Sequence, residues 1–270
     1  MEYIDKNKSR DWAHALIKEF LERRKREDGK YPDDLYAAFR ADPGCKDAMV
    51  NKLLEDNEHR CCYCMASIKG TTLEHVILNS TKTQKDFDKY FEMESELDRN
   101  NIRLATDFLA NPSDVPPFPH TIAYENLIPS CFGYLPGCSS KCCNNYRGEK
   151  FVYPLVFRKD INSEVEYYHD GRVVWKEDPE ELIPTVTKLG LDCLELKAIR
   201  RIWYYLSTQG LTCEDSNRET AIYNLIDELG DTANNKEKKD MRNMLMNFLK
   251  TEYWNLLDKY QYFNDTNKFI

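Results

Sequence analysis

Two groups of cysteines and one acid–histidine pair are the residues whose types and spacing can do chemistry in this chain. Cys61-Cys62-Tyr63-Cys64 contains a C-x2-C knuckle, in which a tight turn can bring the sulfurs of Cys61 and Cys64 to one side of a single metal ion. A second group follows: Cys131, Cys138 and the adjacent pair Cys142-Cys143. Two sulfurs from each group complete a tetrahedral site, and the spacing by itself leaves open which members of the second group take part. The opening residues, MEYIDKNKSR, hold no apolar run, so no secretory signal is expected. In a reducing compartment, clustered thiols read as metal ligands before disulfides.

Between the cysteine groups lies Leu73-Glu74-His75-Val76. Tyr124-Glu125-Asn126-Leu127-Ile128-Pro129-Ser130 then leads into Cys131, and Asn144-Asn145-Tyr146-Arg147-Gly148-Glu149-Lys150 follows Cys143. Hydrolysis of a phosphodiester needs a base for water, a cation for the developing charge, and geometry that holds both. Of five histidines, His75 alone is embedded in this constellation, and imidazole is the natural base near neutral pH. Glu74 offers a hard oxygen suited to Mg²⁺ or Mn²⁺, and the Asn144 amide can supply a second. Asn126 can orient His75 by hydrogen bonding. Arg147 and Lys150, on a helix expected after the last cysteine, are candidate phosphate contacts. His14, His59, His120 and His169 have no such company. Singly, a histidine in an apolar run is most often structural, but the ordered set between two cysteine groups favours the hydrolytic reading.

The order C-x2-C, Glu-His, Asn-Leu, Cys, Cys-Asn-x2-Arg resembles the HNH endonucleases, the ββα-metal family, over roughly residues 60 to 150. A looser likeness over about 30 to 200 is closest to the PtuB-type HNH component of Septu and retron-linked anti-phage systems. It includes Leu189-Gly190-Leu191 and the helix bearing Arg200 and Arg201. The insertion before Asn126 is longer than that pattern, and the third HNH position is Asn. The resemblance implies His75 as base, Glu74 and Asn144 as ligands of Mg²⁺ or Mn²⁺, and Asn126 as orienting residue. Among the open choices it selects Cys61, Cys64, Cys131 and Cys143 for a structural zinc. It also implies a nucleic-acid substrate, DNA favoured with RNA or tRNA possible, and a partner ATPase (PtuA-like) in a defence complex. The rival expectation is a zinc-binding adaptor without catalysis, which has no use for Glu74, His75 and Asn144 together.

The elements that must position these residues follow from composition and periodicity. The chain has 270 residues, 41% hydrophobic, with a formal net charge of −8. That is enough apolar content for a core and too acidic for a protein that coats nucleic acid by bulk charge. No apolar run is long enough for a membrane span, and a cytoplasmic protein is expected. The fold class expected is α+β: an N-terminal helical segment (1–58), a zinc-stabilised HNH core (59–155), then a hairpin and C-terminal helical region (156–270).

Within that frame, Trp12, Leu16 and Phe20 recur at a helical step behind a capping Ser9, and Asp42-Pro43-Gly44 reads as a turn. Arg23 to Arg26 read as a solvated helix end that complements the helix dipole. A helix is expected near Lys85–Arg99, followed by a Pro-rich loop to Pro119. Asp170-Gly171 between Tyr167-Tyr168 and Val173-Val174-Trp175 signals a hairpin. Leu194, Ala198, Ile202 and Leu206 form one helical stripe, and Met241, Leu245, Phe248, Trp254 and Leu257 mark further helices. Exposed residues of this region, such as Arg200 and Arg201, are expected to dock the partner.

Overall fold

The computed structural model describes residues 1–93, 95–97, 119–134, 141–176, 180–264 and 268–270, and the chain is α+β. The Pro-rich segment 111–118 and Cys138 lie outside the described residues. The chain forms two compact units. Unit 1 comprises Met1–Cys62, Ile68–Cys131 and Glu149–Asn162, and unit 2 comprises Tyr63–Ser67, Phe132–Gly148 and Ser163–Ile270. Among the described residues, no helix is long and apolar enough to cross a membrane.

Unit 1 contains helices α1 (Arg10–Arg24), α2 (Leu35–Arg40) and α3 (Pro43–Asp56), strand β1 (Thr72–His75), helix α4 (Gln84–Asp88) and strand β2 (Leu127–Ser130). α1 buries Ala13, Ile17, Phe20 and Leu21, a stripe at i, i+4, i+7 and i+8. The expected stripe through Trp12 and Leu16 is therefore rotated by one residue, and Trp12 stands 40% exposed. Ser9 precedes the helix without capping it, because its hydroxyl donates to Asp56 (2.8 Å). The expected turn at Asp42-Pro43-Gly44 is instead the start of α3. The Asp42 carboxylate accepts from the Cys45 N–H (3.2 Å), and Pro43 sits in the first turn, where no N–H is needed.

Arg23 and Arg24 turn onto that same carboxylate (3.1 and 3.2 Å). Against the opposing effect of burial, the Cys45 N–H and the two guanidinium groups hold the Asp42 carboxyl below its ordinary range. Phe20 meets Phe39 edge-on with centroids 5.1 Å apart, in a core that runs through Leu35, Met49 and Leu53 to Leu73, Tyr124 and Leu127. Burying each of these large side chains contributes about 1.5–3 kcal/mol. The core therefore seats both strands against the N-terminal helices. β1 and β2 pair antiparallel with Glu74 opposite Ile128 and His75 opposite Leu127. The long helix expected near Lys85–Arg99 is short: α4 passes at Lys89 into a 3₁₀ turn ending at Phe91. Phe87 and Tyr90, both buried, are three apart, which suits the tighter period.

Unit 2 contains α5 (Cys143–Arg147), strands β3 (Val165–Tyr167) and β4 (Val173–Trp175), and α6 (Leu182–Lys188), α7 (Leu194–Thr208), α8 (Asp215–Glu228), α9 (Lys236–Asn247) and α10 (Thr251–Asp258). β3 and β4 form the expected antiparallel hairpin. Gly171 turns it with φ +84°, and a Cβ there would lie 2.2 Å from the Lys197 carbonyl oxygen, so only glycine fits. α7 buries Leu196, Ala198, Ile199, Ile202, Trp203 and Leu206 and packs on α8 and α9. The Trp203 indole donates to the Leu257 carbonyl (3.2 Å). The expected stripes thus face the interior of unit 2, where Met241, Leu245, Phe248 and Leu257 are also buried. Arg200 is not the exposed docking residue expected of it. It is 2% exposed, donates to the Gly171 carbonyl (2.9 Å), and lies 3.4 Å from Asp192 and 5.1 Å from the Tyr167 ring centroid. Arg201 is half-buried, and burial lowers its guanidinium pKa.

Candidate functional site

The sulfurs of Cys61, Cys64, Cys131 and Cys143 all lie within 4.8 Å of one another, and this group can hold a metal ion. A tetrahedral ion with metal–sulfur bonds of about 2.3 Å spaces its sulfurs about 3.8 Å apart, so the donor set fits. Local backbone shapes each half of the set. After the knuckle Met65 takes φ +69°, and Cys143 itself takes φ +54° while its N–H donates to the Leu189 carbonyl (2.7 Å). Gly133 passes so close to Cys142 that a Cβ would lie 2.1 Å from the Cys142 carbonyl oxygen, and the Asn145 amide donates to the Phe132 carbonyl (2.6 Å). The Tyr260 hydroxyl donates to Cys64 Sγ (3.7 Å), and Ser130 Oγ lies 4.0 Å from Cys61 Sγ. Four thiolates this close repel one another unless a cation sits among them.

β1 carries Glu74 and His75, which are 6% and 7% exposed. His75 Nε2 lies 2.8 Å from the Thr121 carbonyl oxygen. A carbonyl only accepts, so Nε2 carries a proton, and in a neutral ring the lone pair would then be on Nδ1. The Tyr36 ring of α2 meets the imidazole edge-on at 4.6 Å, and its hydroxyl donates to the Leu73 carbonyl (3.3 Å). Asp33, Asp34, Tyr36, Asn79, Lys82 and Thr121 border a cavity of about 260 Å³ beside these two supports of His75.

Asn126 is fully buried at the entry to β2. Its Oδ1 accepts from the Ile77 N–H (2.6 Å), and its Nδ2 donates to the carbonyls of Ile77 (3.0 Å) and His120 (2.9 Å). The direct bond to His75 expected of it is thus made by Thr121. Asn126 acts one step back, by tying the backbone two residues after His75 to that one residue before Thr121.

Beneath β2 the ammonium of Lys6 donates to the Leu127 carbonyl and sits 4.1 Å from the Tyr124 ring centroid. Glu125 is buried and takes His14 Nε2 (2.7 Å) and Arg10 Nε (3.3 Å). Burial lowers the Lys6 pKa to about 7, against the pull of Glu125, Asp56 and Cys62. Unfolded lysine titrates near 10.4, so between about pH 7 and 10 the native state binds fewer protons and this site gains stability as pH rises. It is weakest below pH 7, where the buried ammonium keeps its charge. Lys6→Met is therefore expected to be relatively more stable at pH 6 than at pH 9. The difference from the parent changes by on the order of 1.4 kcal/mol per pH unit in denaturant melts across that window.

In unit 2, Asn144 lies on α5 half-buried, one residue beyond Cys143. Arg147 is 0% exposed, so it is not the open phosphate contact expected of it. Lys150, in unit 1, is exposed. Sequence reasoning missed Thr121, Tyr36 and Lys6. Thr121 acts through a main-chain carbonyl, which leaves no mark of residue type. Tyr36 and Lys6 are single residues outside any motif.

Comparison with protein-family models, curated proteins and solved structures finds no match for this chain.

Proposed function

We propose that this chain is an HNH-type, divalent-metal-dependent endonuclease that hydrolyses phosphodiester bonds of nucleic acid by direct attack of water. The observation that carries this reading is the His75–Thr121 bond (2.8 Å), which fixes the tautomer a general base needs. His75 Nδ1 accepts the proton of the attacking water, while Tyr36 and the Thr121 carbonyl keep the ring from turning. Glu74 and Asn144 would hold Mg²⁺ or Mn²⁺, which when bound supplies charge stabilisation at the scissile phosphate. Lys82, on the cavity beside Thr121, and the exposed Lys150 are the cations available to flanking phosphates. Support for an HNH-type core also comes from chain order, β1, β2, then α5 with Asn144.

The four thiols take zinc, because a closed set of four cysteines and no oxygen ligand suits a structural tetrahedral ion. The chemistry acts on phosphate and leaves the sugar unselected, so both DNA and RNA belong in the test. The resemblance to Septu and retron-linked systems supports reading the enzyme as part of a cytoplasmic anti-phage complex with a partner ATPase. Partner binding falls to outward faces of the C-terminal helices, since their apolar stripes are buried.

The test is an assay of the purified chain, alone and co-purified with its ATPase, on plasmid DNA and tRNA in Mg²⁺ or Mn²⁺. Cleavage that stops in EDTA is expected. Intact substrates under every condition would leave the adaptor reading in its place.

A further inference from the structure

The helix that carries Asn144 also presents Tyr146, 42% exposed, to a cavity of about 560 Å³ within unit 2. Lys141, Val186, Thr187, Gly190 and Asp192 contribute to its walls. That volume and the mix of apolar wall with a few polar groups match small-ligand sites. Tyr146 is held from behind: a Cβ on Gly190 would lie 3.0 Å from Tyr146 Cγ and 3.1 Å from Cδ1, and Gly190 has φ +60°. Asp192 is held too, its Oδ1 accepting from the Val173 N–H (3.0 Å) and from Arg200 (3.4 Å). Its second oxygen takes no bond among the described residues, and the side chain is 34% exposed. Lys141 is exposed at the rim, 5.8 Å from the Tyr134 ring centroid.

We propose that this cavity is a nucleobase subsite, taking one unstacked base of a nucleic-acid strand. The base lies on the Tyr146 ring. Its N–H edge meets the open oxygen of Asp192 and the hydroxyl of Thr187, and its phosphate meets Lys141. A nucleotide is the ligand class that carries a flat π-surface, a donor edge and an anionic end together, which is what an aromatic ring, a fixed carboxylate and an ammonium recognise. The inference rests on the nuclease reading for its role: the subsite would favour strands that carry unpaired bases.

The experiment is calorimetric titration of the purified full chain with each of the four nucleoside 5′-monophosphates, and with ribose 5-phosphate. Saturable nucleotide binding is expected, about 5- to 150-fold weaker in Tyr146→Ala and nearly unchanged in Tyr146→Phe. Thr187→Phe, which fills the cavity from an exposed position, should abolish it; all three variants should keep the parental melting temperature. Ribose 5-phosphate binding as tightly as the nucleotides overturns the proposal, because it reduces the site to Lys141 and an anion. So does parental affinity in Tyr146→Ala, or the absence of saturable binding at millimolar nucleotide. Cleavage is not read here, so a chain that binds nucleotides and cuts nothing refutes the nuclease reading alone, and one that cuts but binds none refutes the subsite alone.

Discussion

Replacing His75 with alanine is expected to lower the rate of the proposed phosphodiester cleavage by about 10²–10⁴, the usual loss when a general base is removed. The size follows from what the ring does. In the proposed mechanism the lone pair on Nδ1 takes the proton, and Glu74 is assigned to the cation rather than to the base. The fold should tolerate the change. The losses include the hydrogen bond to Thr121 and the edge contact with Tyr36, on a strand whose pairing with β2 is made by the main chain. A hydrogen bond of this kind is worth about 1 kcal/mol net. Parallel thermal melts of parent and variant separate the two effects. A folded variant that cuts at the parental rate removes His75 from the proposed role.

The second large effect is on folding. Purified chain should contain about one zinc, and Cys143→Ser or Cys61→Ser should bring it near zero with heavy loss of soluble protein. Binding of structural zinc is worth about 10–16 kcal/mol in small zinc domains, far above the 0.5–3 kcal/mol of an ordinary substitution. The backbone strain at Cys143, φ +54°, adds to the argument, since a residue held there needs something that holds it. Elemental analysis of parent and variants decides the matter. Zinc retained in full by Cys143→Ser would move the ligand to Cys138 or Cys142, and a metal-free parent would end the assignment.

Much of this arrangement was legible in residue types. The knuckle at Cys61 and Cys64 and the choice of Cys131 and Cys143 match the sulfurs that converge, and Asp170-Gly171 sits in the hairpin turn. What was not legible depends on tertiary context. The face of α1 is set by Leu53, Phe39 and Leu73 packing against Ile17 and Phe20, and the local spacing of Trp12 and Leu16 cannot reveal that rotation. Arg147 and Arg200 carry charge in the sequence, yet both are buried, Arg200 because the Gly171 carbonyl and Asp192 receive it. The partner of His75 is a peptide oxygen, and any residue at position 121 would supply one. Asn126 was found for its position, but its three bonds go to backbone and none to the imidazole.

Those three bonds bear on how the protein can be altered. Asn126 ties Ile77 to His120, and His120 returns a bond to the Leu78 carbonyl (3.0 Å), so the excursion between them leaves and re-enters through one cross-braced gate. Ring closure grows costlier only slowly with length, about 0.6 kcal/mol per doubling. The brace holds the two ends of the excursion together, while its described residues Phe87 and Tyr90 are themselves buried. A change of chain length between the two anchors that keeps Phe87 and Tyr90 is therefore expected to leave the imidazole seated on Thr121.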